Sequence, residues 1–330
     1  MSNDGVRAPL YRDPIYDGCA DPAVVYNQEE KNWWLFYTQR RACVKVAGVA
    51  GSFGTAIGIA VSEDRGSTWI YRGICNGLEL DWGQNTYWAP EVFFDQHAKV
   101  YRMLVTYVRG VPSRFGVPVG KFGIANFVSS NLHDWKFVNF LLHRSQADII
   151  DACAMELLSG GYRIWYRDTE KNCAVYYTDT LDFNEYAEPR KAIEGKTEGP
   201  NVFRLGGYYW LIADPLGKRA GFTVHRSLDM EQWEFTGKLL DQPGKRFLDD
   251  SPGRHGDVVT VGDEAYIFYF TQPYKNYAKA RDYDALQAEA EICVAQCAKI
   301  ICLDGKLVCH RNEAFTLDLG EKYEYIDDRL

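Results

Sequence analysis

No basic run stands out in this chain of 330 residues, in which 37 Lys and Arg face 45 Asp and Glu for a formal charge of −8. That argues against nucleic acid or an anionic membrane as a partner. No uninterrupted apolar stretch is long enough to cross a bilayer. Met1 to Leu10 has neither an apolar core nor a Lys/Arg cluster, so no secretory signal is visible and a cytoplasmic location is expected. The nine cysteines form no Cys-x-x-Cys pair, and Cys293 and Cys297 have no His-x-x-x-His partner, which speaks against structural zinc. They read instead as buried reduced thiols. No dense carboxylate loop offers calcium its several oxygen ligands, so no metal or other cofactor is expected to be required. No linker or low-complexity segment divides the chain, and residues 1–330 read as a single domain. Nothing in the sequence sets the oligomeric state.

What the chain does have is aromatic strand material: nine Trp, 22 Tyr and 17 Phe among a 46% hydrophobic content. Five times a short polar cluster opens an apolar strand that is followed by an aromatic-rich second strand. The openings are Asp21-Pro-Ala-Val-Val, Trp88-Ala-Pro-Glu-Val, Asp151-Ala-Cys-Ala-Met, Glu198-Gly-Pro-Asn-Val and His255-Gly-Asp-Val-Val. In the first four units a third strand follows, as in Gly58-Ile-Ala-Val-Ser and Gly123-Ile-Ala-Asn-Phe. An outer strand carrying Trp or Phe comes next, as at Trp69, Trp135 and Trp233. Units of four antiparallel strands, roughly 45–70 residues apart, predict an all-β five-bladed propeller. A blade cannot bury both faces alone, and packing blades around an axis does so.

Ser62-Glu-Asp-Arg-Gly-Ser-Thr-Trp69 matches the Asp-box turn of sialidase-type propellers and reads as a stable hairpin turn between outer strands. One segment departs from the pattern. Asn276 to Glu291 is rich in Ala, Glu and Lys without a β-branched residue, and predicts a short helical insert in the last blade.

The innermost strand of each propeller blade lines the axis, so residues opening the five inner strands converge. Here these are Asp21, the Trp88 to Glu91 group, Asp151, Glu198 and His255, read as one shared register. Three acids in one pocket meet the needs of glycoside hydrolysis. One is ionised to activate water, one protonated to release the leaving oxygen, and a third keeps that acid protonated. Trp88 is a candidate sugar platform, while Trp34 is expected between blades. Asn85 and Tyr87 lie on the loop leading to the second inner strand and are candidate substrate contacts, as are Arg254 and His255. Asp148 rivals Asp151, and Asp257 is expected on the face of His255.

At these motifs the chain resembles glycoside hydrolase family 43 and its clan of five-bladed propellers, over roughly residues 15–315. The matching pieces are Ala20-Asp-Pro-Ala-Val-Val, Trp88-Ala-Pro-Glu-Val, Ile150-Asp-Ala, Thr197-Glu-Gly-Pro and Arg254-His-Gly-Asp. The resemblance implies Asp21 as general base, Asp151 as the residue that tunes and orients the acid, and Glu198 as general acid, with His255 as the alternative acid. It implies single-displacement hydrolysis with inversion, the base and acid lying about 6.5–9.5 Å apart. It also implies an exo-acting enzyme on pentose-containing oligo- or polysaccharides, of α-L-arabinofuranosidase or β-xylosidase type, with a structural cation such as calcium near His255. Asp151 is followed by Ala-Cys-Ala-Met and Glu-Gly-Pro by Asn201, departures from the family pattern at positions bordering the substrate. Four alternatives stand beside this reading: a non-catalytic glycan-binding propeller, a retaining sialidase-like enzyme, a phosphorolytic relative, and a clan relative acting on another sugar. The second needs an arginine triad, and Arg40, Arg41, Arg163 and Arg167 fall outside the inner-strand register. The third needs a basic phosphate pocket, for which the sequence offers Arg254 alone.

Overall fold

The computed structural model describes residues 5–46, 48–112, 120–142, 148–217, 221–274 and 288–321. The first blade contains β1 (Cys19–Asn27), β2 (Asn32–Gln39), β3 (Ala56–Ser62) and β4 (Ile70–Ile74). The second has β5 (Thr86–Asp95), β6 (Val100–Val108), β7 (Gly123–Ser129) and β8 (Lys136–Phe140), and the third β9 (Ile149–Glu156), β10 (Tyr162–Asp168), β11 (Ala174–Thr180) and β12 (Arg190–Ile193). The fourth has β13 (Thr197–Leu205), β14 (Tyr208–Pro215), β15 (Phe222–Ser227) and β16 (Glu234–Leu239), and the fifth β17 (Arg254–Val261), β18 (Glu264–Thr271), β19 (Val294–Leu303) and β20 (Lys306–Cys309). Each blade is a four-stranded sheet of consecutive strands, and all its pairings are antiparallel. The five-bladed propeller expected from the repeat is therefore the fold.

Consecutive side chains of a strand point to opposite faces. In β2 this sends Trp34 into the core between the first and second blades, beside Phe36, Met103 and Tyr107. Its neighbour Trp33 enters the core between the first and fifth, beside Phe268 and Ala295. Three further apolar clusters fill the remaining gaps between blades. Both faces of the middle strands are thus buried, which is why they read as continuous apolar and aromatic runs. The outer strands β4 and β8 are largely exposed and carry alternating or polar residues.

Every blade is built from one stretch of chain, so the ring is closed by the segments flanking it. Tyr11 and Gly18 bridge to Ala295 and Cys293 at the start of the fifth blade's third strand. At the other end, Leu319 donates its backbone N–H to Arg65 O in the Asp-box turn, and Trp33 Nε1 donates to Gly320 O. The turn fastens itself. Asp64 accepts from Thr68 N and Thr68 Oγ1, Ser62 Oγ accepts from Gly66 N, and Trp69 Nε1 donates to Gly66 O. The Asp-box is a turn between β3 and β4 on which the C-terminal segment docks.

Of the insert expected over Asn276 to Glu291, residues 276–287 lie outside the described residues, and Ala288–Glu291 form a single 3-10 turn.

Candidate active site

Every inner strand breaks its ladder at the same place. The pairing skips two residues between Ala20 and Ala23, Trp88 and Glu91, Glu198 and Asn201, and Arg254 and Asp257. In β9 the skip falls between Ile150 and Cys153. The first skipped residue is left-handed in all five: φ is 49° at Asp21, 47° at Ala89, 58° at Asp151, 57° at Gly199 and 25° at His255. A bulge of this kind re-aims a side chain. Left-handed backbone at five equivalent points of the axis, four of them at residues other than glycine, also marks where the fold is specialised.

The bulge separates three rings of side chains. Asp21, Asp151 and His255 share the left-handed position with Ala89 and Gly199. Glu198 does not belong to that ring. It stands one residue earlier, in the ring of Ala20, Trp88, Ile150 and Arg254, so the single register read from the sequence is corrected to two adjacent ones. Glu91 and Asp257 fall in a third ring beyond the bulge, with Ala23, Cys153 and Asn201. Asp257 is thereby separated from His255, contrary to the expectation of a common face.

His255 Nδ1 lies 3.4 Å from Asp21 Oδ1. Burial works to lower the imidazole pKa, but Asp21, Asp151, Asp214 and Glu198 outweigh it and raise it, so the ring carries its charge more readily than a free histidine. Asp151 Oδ2 accepts from Gly199 N at 3.1 Å. Burial first, then the charges of Glu198 and Asp21, pushes the Asp151 carboxyl up to about 6 against the opposing pull of His255 and Arg167. Gly199 is the one residue that suits its place: a Cβ there would stand 2.8 Å from the His255 ring, on a left-handed backbone.

Glu198 is gripped at both oxygens. Arg254 Nη2 donates to Oε1 at 2.5 Å and Arg167 Nη1 to Oε2 at 3.0 Å. Arg254 Nε also lies 3.4 Å from Asp214 Oδ2, and Asp214 accepts from His255 N at 3.0 and 3.2 Å. Burial pushes the Asp214 carboxyl up to about 7; Arg254 opposes that shift and Glu198 adds to it. The guanidiniums of Arg40 and Arg254 both lie over Phe270, at 5.2 and 5.7 Å from its centroid.

Arg167 and Asp214 were not among the residues the inner-strand pattern selects, because they sit on second strands. They occupy one equivalent position, where Thr38, Thr106, Arg167, Asp214 and Phe270 pair with Ala20, Trp88, Ile150, Glu198 and Arg254. The available signal is a polar or charged residue closing an aromatic second strand. Reading that position across the repeats finds both.

On the other side, Trp88 donates Nε1–H to Ser52 O at 2.6 Å and packs edge-on against Phe53 and Phe122. It remains partly exposed, as a platform requires. Asn85 and Tyr87 differ from expectation. Asn85 spends its amide on Asp81 O, Gly83 O and Gly110 N, which folds the loop. Tyr87 is buried in the core between blades one and two and donates its hydroxyl to Leu78 O. Both are fastenings, and neither offers a free polar group to a ligand. Asp148 is likewise a loop anchor, accepting from Phe122 N and, at its carbonyl, from Thr169. Among the described residues no group of three or more His, Cys, Asp and Glu is arranged to hold a metal ion.

The third ring is a belt between blades. Glu91 Oε1 accepts from Ala154 N, Cys153 Sγ from Val202 N, and Asp257 from Asn201 Nδ2 and Val24 N. Burial and then the charge of Asp257 raise the Glu91 pKa. Above the ordinary glutamate pKa of about 4.3, the native state therefore holds a proton that the unfolded chain has released, and stability falls as pH rises through that window. Glu91→Gln keeps the acceptor and removes the titration. Its melting temperature is expected to gain on wild type between about pH 5 and about pH 8. Parallel melting curves across that range would show that Glu91 is ionised in the native protein.

Fold and site together define a five-bladed propeller with a cluster of carboxylates converging from its inner strands. No family model matches the chain, and no curated protein matches it by sequence. Solved structures do match. A thermostable family-43 glycoside hydrolase is 17% identical, with 93% of this chain and 97% of that one covered at a TM-score of 0.66. A family-43 β-1,3-galactosidase with galactodeoxynojirimycin is 12% identical over 92% and 98% of the two chains, at 0.65. An exo-1,5-α-L-arabinanase from a bovine ruminal metagenomic library is 15% identical over 89% and 97%, at 0.57. The fold is the one that family-43 glycoside hydrolase structures have.

Proposed function

We propose that the protein is an inverting O-glycoside hydrolase, with Asp21 as general base, Glu198 as general acid and Asp151 as the residue that tunes and orients the acid. The observation that carries this is the convergence of three carboxylates from three blades, each with a different set of partners. Different surroundings for like groups are what separates acid from base roles. Asp21, next to the His255 ring, takes a proton from water as that water attacks the anomeric carbon. Glu198 gives its proton to the glycosidic oxygen as the C–O bond breaks. With the proton on Oε2, the Arg167 contact there weakens and is exchanged for the leaving oxygen during the cycle, while Arg254 keeps its bond to Oε1. Trp88 offers an apolar face to the sugar ring.

Exo-acting hydrolysis of pentosides, α-L-arabinofuranosides or β-D-xylosides, is the first reading of specificity, supported by the sequence motifs and by the arabinanase of the same fold. A β-galactoside is the second, supported by the galactosidase of the same fold. The test is a panel of nitrophenyl arabinofuranosides, xylosides and galactosides, with the anomer of the first product followed by NMR. Turnover of one of them with inverted product is expected. A retained anomer would overturn the single-displacement scheme. Glycan binding without turnover would leave a lectin-like propeller as the function.

A further inference from the structure

Asp214 stands where the first two blades carry threonine. In those blades the threonine hydroxyl caps the left-handed residue of the next blade: Thr38 Oγ1 accepts from Ala89 N at 2.8 Å and Thr106 Oγ1 from Asp151 N at 3.0 Å. Asp214 gives the same cap to His255 N. A hydroxyl would serve for that bond, yet the chain buries a carboxyl here at 4% exposure, which is costly for a charged group. The additional contact it makes is to Arg254 Nε, on the guanidinium whose Nη2 holds Glu198 Oε1.

We propose that Asp214 is a positioning residue for the acid: it fixes the Arg254 guanidinium across the carboxyl of Glu198, and so holds the proton donor where the leaving oxygen arrives. Asp214 touches neither water nor sugar in this scheme and acts through Arg254. The proposal rests on the hydrolase reading above and adds a residue to it.

Asp214→Thr keeps the cap, in a residue the fold already uses at two equivalent positions, and removes the carboxylate. The readout is kcat and KM on glycosides of one sugar with poor and good leaving groups. An activated dinitrophenyl leaving group departs with little help from an acid, whereas an alkyl or sugar leaving group needs the proton. Asp214→Thr is expected to lower kcat on the poor leaving group at least about tenfold, with KM little changed and the dinitrophenyl glycoside nearly unaffected. Equal rates for variant and wild type on both substrates would reduce Asp214 to a backbone cap. A loss of the same size on both would place its effect outside acid catalysis. If Asp214→Thr does not fold, Asp214→Asn retains both shape and cap, and the same two outcomes decide. A wild type that turns over no glycoside would overturn the hydrolase reading, and this role with it. Wild-type turnover with an indifferent variant would overturn this role alone.

Discussion

Replacing Asp21 by Ala is expected to lower kcat about 10²- to 10⁴-fold on every leaving group, and replacing Glu198 by Ala to do so on poor leaving groups only. The asymmetry follows from what each carboxylate does. Without Asp21 nothing removes the proton from the attacking water, and the quality of the leaving group cannot compensate. Without Glu198 the leaving oxygen must depart as an anion, which a dinitrophenolate does readily and a sugar alkoxide does not. Azide separates the two roles further. It is a nucleophile with no proton to lose, so it is expected to restore turnover to Asp21→Ala and to give a glycosyl azide of inverted configuration. Glu198→Ala is expected not to respond. If azide rescues Glu198→Ala instead, the two assignments are reversed. If Asp21→Ala keeps its activity, the base lies elsewhere, and the imidazole 3.4 Å from Asp21 Oδ1 is the next group to replace.

The geometry gives these variants a structural cost that has to be read separately. Asp21 and Asp151 are left-handed residues other than glycine, at φ 49° and 58°. Asp tolerates that region better than Ala, because its short polar side chain can bond locally. Asp21→Asn is therefore the variant that isolates the lost carboxylate, and Asp21→Ala the one that combines it with backbone strain. Melting temperatures that agree between Asn and wild type, with activity lost in both variants, would attribute the loss to chemistry.

The architecture was legible because it is written five times. Each inner strand opens with a polar cluster, and β2 places Trp33 and Trp34 into different interblade cores, a pattern that betrays a strand buried on both faces. The site was legible up to the inner strands, since Asp21, Asp151, Glu198 and His255 all lie at or beside the bulge. Their exact offset was not. A two-residue bulge displaces Glu198 from the ring of Asp21, and bulges leave no reliable mark in sequence when the left-handed residue is Asp or His instead of Gly. Arg167 and Asp214 were hidden for another reason. They stand near the ends of second strands rich in aromatic and apolar residues, and only the paired structure reveals that Asp214 lies opposite Glu198 and that Arg167, opposite Ile150, reaches its carboxylate. Arg167 had looked unrelated to the acids, yet it bonds one of them directly. Asn85 and Tyr87 erred in the opposite direction. Proximity to the pocket in sequence suggested contact with substrate, while the loop and the blade core claim both side chains.

The largest expected loss of stability comes from a residue with no motif at all. Asp249 has no exposed surface, and its carboxylate receives Arg311 through Nε at 3.1 Å and Nη2 at 2.6 Å. Arg246 adds two donors at 3.1 and 3.2 Å, and the Tyr269 hydroxyl donates at 3.0 Å. Arg311 Nη2 further donates to the carbonyls of Asp249 and Ser251 at 2.9 and 2.6 Å. This knot ties the segment after β20 to the stretch between β16 and β17, which leads directly into Arg254 and His255. Asp249→Ala would leave the buried Arg311 and the largely buried Arg246 with their shared counter-charge gone. Removing one partner of a buried pair costs about 3–5 kcal/mol, because the stranded charge keeps its desolvation penalty. Urea unfolding is expected to show a loss of that size, with Asp249→Asn losing less because it keeps acceptors for the donors around it. A loss under about 1 kcal/mol for the alanine variant would mean that water reaches the two guanidiniums and the knot is solvated. Activity should fall alongside, since the backbone that presents Arg254 to Glu198 begins only a few residues from Asp249. A variant that unfolds more easily but hydrolyses as wild type at low temperature would show that the last inner strand is held in register by its own ladder with β18.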